Sequence, residues 1–194
     1  MKLPIYSYGH EVLRAKCEEV TQDFPEFDAL VEAMWETLYG ANGCGLAAPQ
    51  IGKSLRLFLV DSKSTYEYMT ERDRKELFEE GDTGIMETFI NARILHRSEE
   101  AWMDEEGCLS IPGLSRMVER PWEIEIEYFD REFNQHTKTF AGVTARMIQH
   151  EFDHTEGILY LDYLSPLQKK LLNGKLNKIA KGKFPTKYPM KFLK

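Results

Sequence analysis

The segment His150-Glu151-Phe152-Asp153-His154 limits the possible folds more than any other part of this 194-residue chain. Histidines four positions apart lie on the same side of an α-helix, so two imidazole nitrogens can bind one divalent metal ion there. Glu151 follows the first histidine and lies close enough to move a proton on a water molecule at that ion. The fold must therefore present this helix face to an accessible site.

The residues before this segment predict a helix that begins at Gly142 and packs one side in the core. Val143, Met147 and Ile148 are apolar and recur at helical spacing. A buried pair of histidines without a partner or a metal ion costs free energy. This favours a metal site over the alternative, in which the two histidines fall at this spacing by chance on an exposed helix.

A catalytic metal ion of this kind takes a third protein ligand, and the sequence places that ligand upstream. After Glu156 the chain contains neither Glu nor His, and Asp162 lies in an apolar stretch typical of packing. Either an upstream residue completes the site or no metal binds. No two cysteines have the spacing of a structural zinc site. Cys108, in a polar and tightly turned segment, is the better candidate, and Cys17 is predicted to be a small buried side chain.

Three segments in this order resemble the peptide deformylase family. They are Gly43-Cys44-Gly45-Leu46-Ala47-Ala48-Pro49-Gln50, Glu106-Gly107-Cys108-Leu109-Ser110 and Gln149-His150-Glu151-Phe152-Asp153-His154. The resemblance covers most of the chain up to about Leu164. Three motifs in the family's order are far more specific than any one of them alone.

The resemblance implies a mechanism for removal of a formyl group. Cys108, His150 and His154 would bind the metal ion, and a hydroxide bound to it would attack the formyl carbon of an N-formylmethionyl peptide. Glu151 would take the proton of the water molecule and later give it to the departing amine. The products would be formate and a peptide with a free amino terminus.

Further residues would bind the oxyanion and the substrate. The resemblance implies that Gln50 and the backbone N–H of Leu109 bind the oxyanion. The residues expected to contact the substrate are Gly43, Cys44, Gly45, Gly107, Val143 and Met147. Gly45 would pair with the substrate backbone in the manner of an added strand. Val143 and Met147 could form the pocket for the methionine side chain or could be ordinary core residues.

The ligand types leave the metal open among zinc, iron, cobalt and nickel. The resemblance implies Fe²⁺ in the cell, with Zn²⁺, Ni²⁺ or Co²⁺ possible in purified protein. Two other functions remain possible from the residues: a metallopeptidase that cleaves ordinary peptide bonds, and a non-catalytic metal-binding or ribosome-binding module. The absence of a downstream ligand argues against the first, and Glu151 argues against the second because a structural metal site has no use for a base.

Charge is distributed unevenly along the chain. The net charge of −7 argues against broad nucleic-acid binding. Residues 165–194 nevertheless contain nine lysines and no acidic residue, whereas the rest of the chain contains 16 basic and 32 acidic residues. This segment is either a solvated helix face followed by a loose end or, as the resemblance implies, an arm that contacts ribosomal RNA. We therefore expect one catalytic domain, 1–164, followed by a basic C-terminal helix and tail, 165–194.

The location expected from the sequence is the bacterial-type cytoplasm. No apolar run is long enough for a signal peptide or for a membrane span. Three cysteines without regular spacing argue against a disulfide framework. We therefore expect no membrane partner, and nascent chains as the polypeptide partners.

Periodicity predicts an α+β fold with mixed or antiparallel strands around the metal-binding helix. The predicted helices are 28–39, 142–154 and 166–179, with a short helix near 71–80 inside an acidic excursion, 62–88. The predicted strands are 55–60, 89–94, 122–129 and 138–140. Arg120 and Glu106 form a possible buried pair that would support the Cys108 segment, and a surface arginine is the alternative.

Overall fold

The alternation of apolar and polar residues over 122–129 produces the central strand of the protein. In a computed structural model that describes residues 2–193, this strand spans Glu123–Phe129 and buries every second side chain. It lies between two antiparallel neighbours, Met86–Arg97 and Gln135–Ala141. The sequence also predicts that the strand at 138–140 pairs with this one, and that pairing is confirmed.

Helices and strands are mixed without a regular βαβ alternation. The strands are β1 (Ile5–Tyr6), β2 (Gly45–Ala47), β3 (Leu57–Asp61), β4 (Met86–Arg97), β5 (Ala101–Cys108), β6 (Ile111–Pro121), β7 (Glu123–Phe129), β8 (Gln135–Ala141) and β9 (Met190–Lys191). The α-helices are α1 (Phe27–Gly40), α2 (Ser62–Tyr68), α3 (Glu71–Leu77), α4 (Gly142–Thr155) and α5 (Pro166–Ala180). The predicted α+β class is confirmed.

Three sheets form the β-structure of the described residues. Strands β2-β3-β4-β7-β8 make an antiparallel five-stranded sheet in that order. Strands β5 and β6 form a separate antiparallel hairpin, and β1 pairs with β9 in parallel. The hairpin was not predicted, and it delivers Cys108 to the site because that residue ends β5.

Helix α4 packs against the five-stranded sheet and begins at a glycine for a steric reason. Ala145 and Ile148 are fully buried in one cluster with residues of β3, β4 and β7. Gly142 has a φ of 56°, and a Cβ there would lie 3.1 Å from the carbonyl carbon of Leu77. Only glycine fits such a position. The α3 segment therefore fixes where the helix can start.

The excursion 62–88 is ordered against the N-terminal turn of α4. Thr144 donates a hydrogen bond from its hydroxyl to Ser62 (2.9 Å) and to Asp82 (3.2 Å). The prediction of one short helix near 71–80 was incomplete, because the segment contains both α2 and α3. The excursion thereby forms one rim of the cleft above α4.

Helix α5 has a strong N-terminal cap and a mixed apolar face. The Ser165 hydroxyl accepts from the backbone N–H of Gln168, whose side chain accepts from the N–H of Ser165. The sequence pattern predicts an apolar side made of Leu167, Leu171, Leu172, Leu176 and Ile179, and the last three of these are buried. The prediction was wrong for Leu167 and Leu171, which are 68% and 76% exposed, because α5 packs against β6 only on the face of the other three.

After α5 the chain returns to the N-terminal strand β1. Strand β9 pairs with β1 through hydrogen bonds from the N–H groups of Ile5 and Ser7 to the carbonyls of Pro189 and Lys191, each 2.9 Å. The division into 1–164 and 165–194 stays a prediction, and residue 194 lies outside the described residues. Between residues 2 and 193, every helix is too short or too polar to cross a lipid bilayer.

Candidate metal centre and active site

Three side chains from two elements converge on one point. Helix α4 places His150 and His154 on the same face, with ring centroids 5.1 Å apart, and β5 brings Cys108 to them. One possible ligand atom from each residue lies within 4.8 Å of the other two. The Cys108 sulfur is 3.3 Å from His154 Nε2. A thiol and two imidazoles thus meet as the ligand set of one small cation would.

A buried network of charges holds the first of these histidines. His150 Nδ1 lies 3.0 Å from a carboxylate oxygen of Glu106. Glu106 also accepts two bonds from Arg120, of 2.5 and 2.9 Å, and one of 2.7 Å from Arg146. Arg120 and Glu106 are 2% and 5% exposed, so the predicted buried pair is confirmed and the alternative of a surface arginine is wrong. The carboxylate orients the ring and leaves Nε2 toward the cysteine.

These contacts shift the pKa values of the groups in the network. Burial alone would raise the pKa of Glu106, but hydrogen bonds from His150 and Arg120 outweigh it and hold the pKa far below its usual range. Burial lowers the pKa of His154 well below its usual value, which keeps that ring neutral. For His150, the contacts with Cys108 and Glu106 outweigh burial and raise the pKa. A neutral imidazole is the form that binds metal.

Glu151 lies beside the histidines in a position shaped by a glycine. Its carboxyl group is buried, and Oε2 has no hydrogen-bond partner among the described residues. Burial raises its pKa to about 7, against the opposing charge of His150. A Cβ on Gly45 would lie 2.7 Å from both Cγ and Cδ of Glu151, so this carboxyl group can occupy its position only because residue 45 has no side chain.

The segment after β5 carries the remaining polar groups. The Gln50 amide oxygen accepts from the backbone N–H of Ala47 (2.8 Å), which turns its NH₂ toward Cys108 Sγ and Ser110 Oγ, each 3.4 Å away. Leu109 packs near Gly43, where a Cβ would lie 2.8 Å from Leu109 Cδ1. Two neutral hydrogen-bond donors thus lie beside Cys108. One is the Gln50 amide, and the other is the backbone N–H of Leu109, the next residue in the chain.

A cleft of about 1160 Å³ contains most of the residues singled out in the sequence. Its lining includes Gly43, Cys44, Gly45, Gln50, Gly107, Cys108, Leu109, Val143, Met147, His150 and Glu151. Val143 is buried and Met147 is half-buried at its floor. His154 does not line the cleft, but its ring contacts Cys108, which does. The lining also includes Ser64, Thr65, Tyr68 and Met69 of the excursion and the segment Phe184 to Tyr188.

The donor atoms fit a divalent cation. Cysteine sulfur and neutral imidazole nitrogen suit borderline transition metals, and three such donors leave a position open for chemistry. Glu151 Oε2 is buried without a hydrogen-bond partner within residues 2–193. A buried carboxyl oxygen in this state is costly without a bound partner.

The match to known proteins decides the family. The model of the family described as polypeptide deformylase matches residues 2–170. The chain belongs to this family. Proteins named peptide deformylase from Christiangramia forsetii and Flavobacterium psychrophilum are 43% and 42% identical to it. The first alignment covers 99% of this chain and 96% of the relative, and the second covers 100% and 98%.

Solved deformylase structures share the fold. Peptide deformylase from Ehrlichia chaffeensis superposes with a TM-score of 0.79 at 31% identity, covering 92% of this chain and 96% of that chain. Plasmodium falciparum peptide deformylase in complex with an inhibitor gives 0.72 at 32% identity, covering 90% and 97%. The resemblance predicted from the three motifs is confirmed, and membership implies a divalent metal ion.

Several residues near the site were missed by the sequence reasoning. Arg146 is four positions before His150 on the same helix face, and that spacing was a usable signal for a contact near the site. Asp153, inside the pentad, accepts from Arg120 and from the Tyr163 hydroxyl, both at 2.8 Å. Tyr188 could not be identified from the sequence, because its contact with Leu109 depends on the return of the C-terminal segment.

Proposed function

We propose that the protein is a metal-dependent hydrolase that removes the formyl group from N-formylmethionine at the start of newly made polypeptides and releases formate. The convergence of Cys108, His150 and His154 beside a buried Glu151 that lines the cleft is the observation on which this depends most. Membership of the deformylase family supports the same activity.

Cys108, His150 and His154 would hold the metal ion. When bound, the ion would polarise the carbonyl and lower the pKa of water toward about 7. Fe²⁺ is the proposed metal in the cell, and Zn²⁺, Ni²⁺ or Co²⁺ could occupy the site after purification. Glu106 would hold the His150 ring in the orientation that directs Nε2 to the ion.

Glu151 would act as base and then as acid. Its buried, unpartnered Oε2 is available to take a proton from the attacking water and to return that proton to the departing amine. A pKa raised to about 7 by burial suits both roles near neutral pH. Gly45 lies next to this carboxyl group, and a side chain at residue 45 would occupy the same space.

Two neutral donors would bind the oxyanion formed from the formyl oxygen. The Gln50 amide is oriented by Ala47 and does not titrate at working pH. The backbone N–H of Leu109 lies directly after the cysteine ligand. One such donor typically contributes about 3 kcal/mol to transition-state stabilisation. A formamide is a poor electrophile, so this contribution matters.

The free edge of β2 would bind the peptide. In the described sheet β2 is the outer strand and pairs only with β3, so an extended peptide can add alongside Gly45. Gly43, Cys44 and Gly107 line the same cleft and would approach the peptide backbone closely. Val143 and Met147 would contact the methionine side chain, because both lie in the lining close to Glu151 and His150.

Formate release from formyl-Met-Ala-Ser tests the activity. We expect formate and a free amino terminus from this peptide, and no free amino terminus from acetyl-Met-Ala-Ser, because the acetyl carbonyl is less electrophilic and carries an extra methyl group. Glu151→Gln should keep the metal content of the wild type and lose turnover. Cleavage of internal peptide bonds without formate would support a metallopeptidase, and full turnover of Glu151→Gln would contradict the assigned base.

The basic C-terminal segment would place the enzyme at the ribosome in the cytoplasm. Lys170 and Lys178 are exposed on α5 and could contact RNA phosphates. Deleting the segment would also remove buried residues of α5, so charge reversal is the better test. Lys170→Glu with Lys178→Glu should weaken co-sedimentation with ribosomes at low salt. Lys16→Glu with Lys53→Glu, on another exposed surface, is the control of equal charge.

A further inference from the structure

The segment after α5 forms part of the wall of the active-site cleft. Phe184, Tyr188 and the residues between them line the cleft. The parallel pairing of β9 with β1 fixes this segment from one side. On the other side, Phe184 packs so closely on Gly113 that a Cβ there would lie 2.5 Å from the ring. The wall is therefore anchored at both ends.

Tyr188 joins this wall to the segment that follows the cysteine ligand. Its hydroxyl donates a hydrogen bond of 2.8 Å to the carbonyl oxygen of Leu109. The next carbonyl, of Ser110, accepts from the backbone N–H of Tyr8, also at 2.8 Å. Tyr8 lies two residues after β1. Two successive carbonyls of this segment are thus bound by residues next to the same two-stranded sheet.

The Tyr188 hydroxyl stays a donor across the working pH range. The ring is half-buried, and burial together with the Cys108 sulfur raises its pKa to about 12. The hydroxyl therefore carries its proton near neutral pH, and the Leu109 carbonyl is the acceptor it reaches. This bond restrains the backbone of Leu109, a residue that lines the cleft.

We propose that Tyr188 is a positioning residue for deformylation, which fixes the Leu109 backbone so that its N–H meets the developing oxyanion. The inference depends on the proposed function, since it assigns Leu109 a role in that reaction. A donor displaced by a fraction of an ångström binds the ground state almost as well, but it no longer matches the transition state. Loss of the hydroxyl should therefore act on kcat more than on KM.

Tyr188→Phe is the test variant, and Tyr6→Phe is its matched control. Both changes remove one hydroxyl and keep the ring. The Tyr6 hydroxyl accepts a 2.8 Å bond from Lys191 Nζ, so the control also loses a side-chain bond between β1 and β9. That bond is exposed and does not involve the Leu109 segment. The comparison separates a loosened β1–β9 sheet from a misplaced Leu109.

The measurements are kcat, KM for formyl-Met-Ala-Ser, metal content and the melting temperature. We expect about a 10-fold fall in kcat for Tyr188→Phe, which is a fraction of the roughly 100-fold loss that follows removal of a whole oxyanion donor. KM should change less than about twofold, metal content should stay at the wild-type level, and Tyr6→Phe should retain wild-type kcat.

Three results would overturn the inference. The first is an unchanged kcat in Tyr188→Phe. The second is an equal loss in both variants, which would indicate a general effect of the β1–β9 sheet. The third is loss of metal or a large fall in melting temperature in Tyr188→Phe alone, which would make the tyrosine structural. Absence of formate release by the wild type would instead contradict the proposed function, so the two failures are distinguishable.

Discussion

Gly45→Ala should displace the proposed base without touching a metal ligand. The added Cβ would lie 2.7 Å from both Cγ and Cδ of Glu151, whereas ordinary carbon contacts begin near 3.4 Å. The backbone at residue 45 has no positive φ, so alanine is not excluded by its dihedral angles. The strain must therefore be relieved by movement of the carboxyl group or of β2.

The size of the effect follows from that overlap. A shift of roughly 1 Å in a catalytic group can lower the rate about 100-fold. Overpacking of a buried position typically costs about 1–3 kcal/mol of folding stability. We therefore expect kcat for formate release from formyl-Met-Ala-Ser to fall about 100-fold, with the metal content of the wild type and a melting temperature lowered by a few degrees.

Gly174→Ala provides the control. Gly174 lies inside α5, and a Cβ there would have no heavy atom within 4 Å. Alanine should stabilise that helix by about 0.5–1 kcal/mol and leave turnover unchanged. Wild-type kcat in Gly45→Ala, with the variant folded and metal-loaded, would refute the argument that the glycine exists to admit the Glu151 carboxyl group.

Two more predictions concern the charges of the site. Glu106→Gln should weaken metal binding about 10- to 100-fold in a chelator competition, because it releases the His150 ring. It should also lower the free energy of unfolding by about 3 kcal/mol in denaturant, because two buried arginines lose their counter-charge. Equal metal affinity would contradict the orienting role. The base works only when ionised, so kcat/KM should be retained at high pH and lost as the pH falls through the pKa of Glu151, which lies near or, beside a cation, below about 7; an acid limb that persists unchanged in the residual activity of Glu151→Gln would exclude Glu151 as the titrating base.

Regular periodicity made several elements predictable. The strand over 122–129 alternates cleanly, and its observed bounds differ by one residue at one end. The helix that bears His150 begins at Gly142, as predicted, because apolar residues recur at helical spacing up to the histidines. In the strand one face is buried and the other is more exposed, which is the condition under which a sequence pattern reports the structure. In the helix every residue is buried or half-buried, so the apolar repeat located the helix without distinguishing its faces.

Other elements could not be predicted because their stability comes from distant contacts. Strand β5 has mostly exposed or half-buried side chains and is held by pairing with β6, so its sequence carries no strand periodicity. Leu167 and Leu171 look like core positions, but they are exposed and no element between residues 2 and 193 covers them. A single sequence indicates which faces are apolar and does not indicate which of them another element reaches.

Some residues of the candidate site could likewise be predicted from the sequence, and others could not. The two histidines and Glu151 followed from helical spacing, and Cys108 followed from the lack of any downstream ligand together with the family resemblance. Arg146 and Asp153 occupy the same helix, but their role in the charge network needed coordinates because their partners lie on other elements. Arg146 donates to Glu106 on β5, and Asp153 accepts from Arg120 on β6. The roles assigned to the substrate-contacting residues stay predictions until kinetic measurements are made.

The pairing of β1 with β9 also has a consequence for the order of folding. Tyr6 and Lys191 are 185 positions apart, so this sheet closes the longest loop among the pairings described. Contacts between such distant residues form slowly, because the chain entropy lost on closing the loop must be overcome first. During refolding from denaturant, the far-ultraviolet circular dichroism of the helices should recover before enzymatic activity does, and the lag should measure the time the C-terminal strand needs to dock.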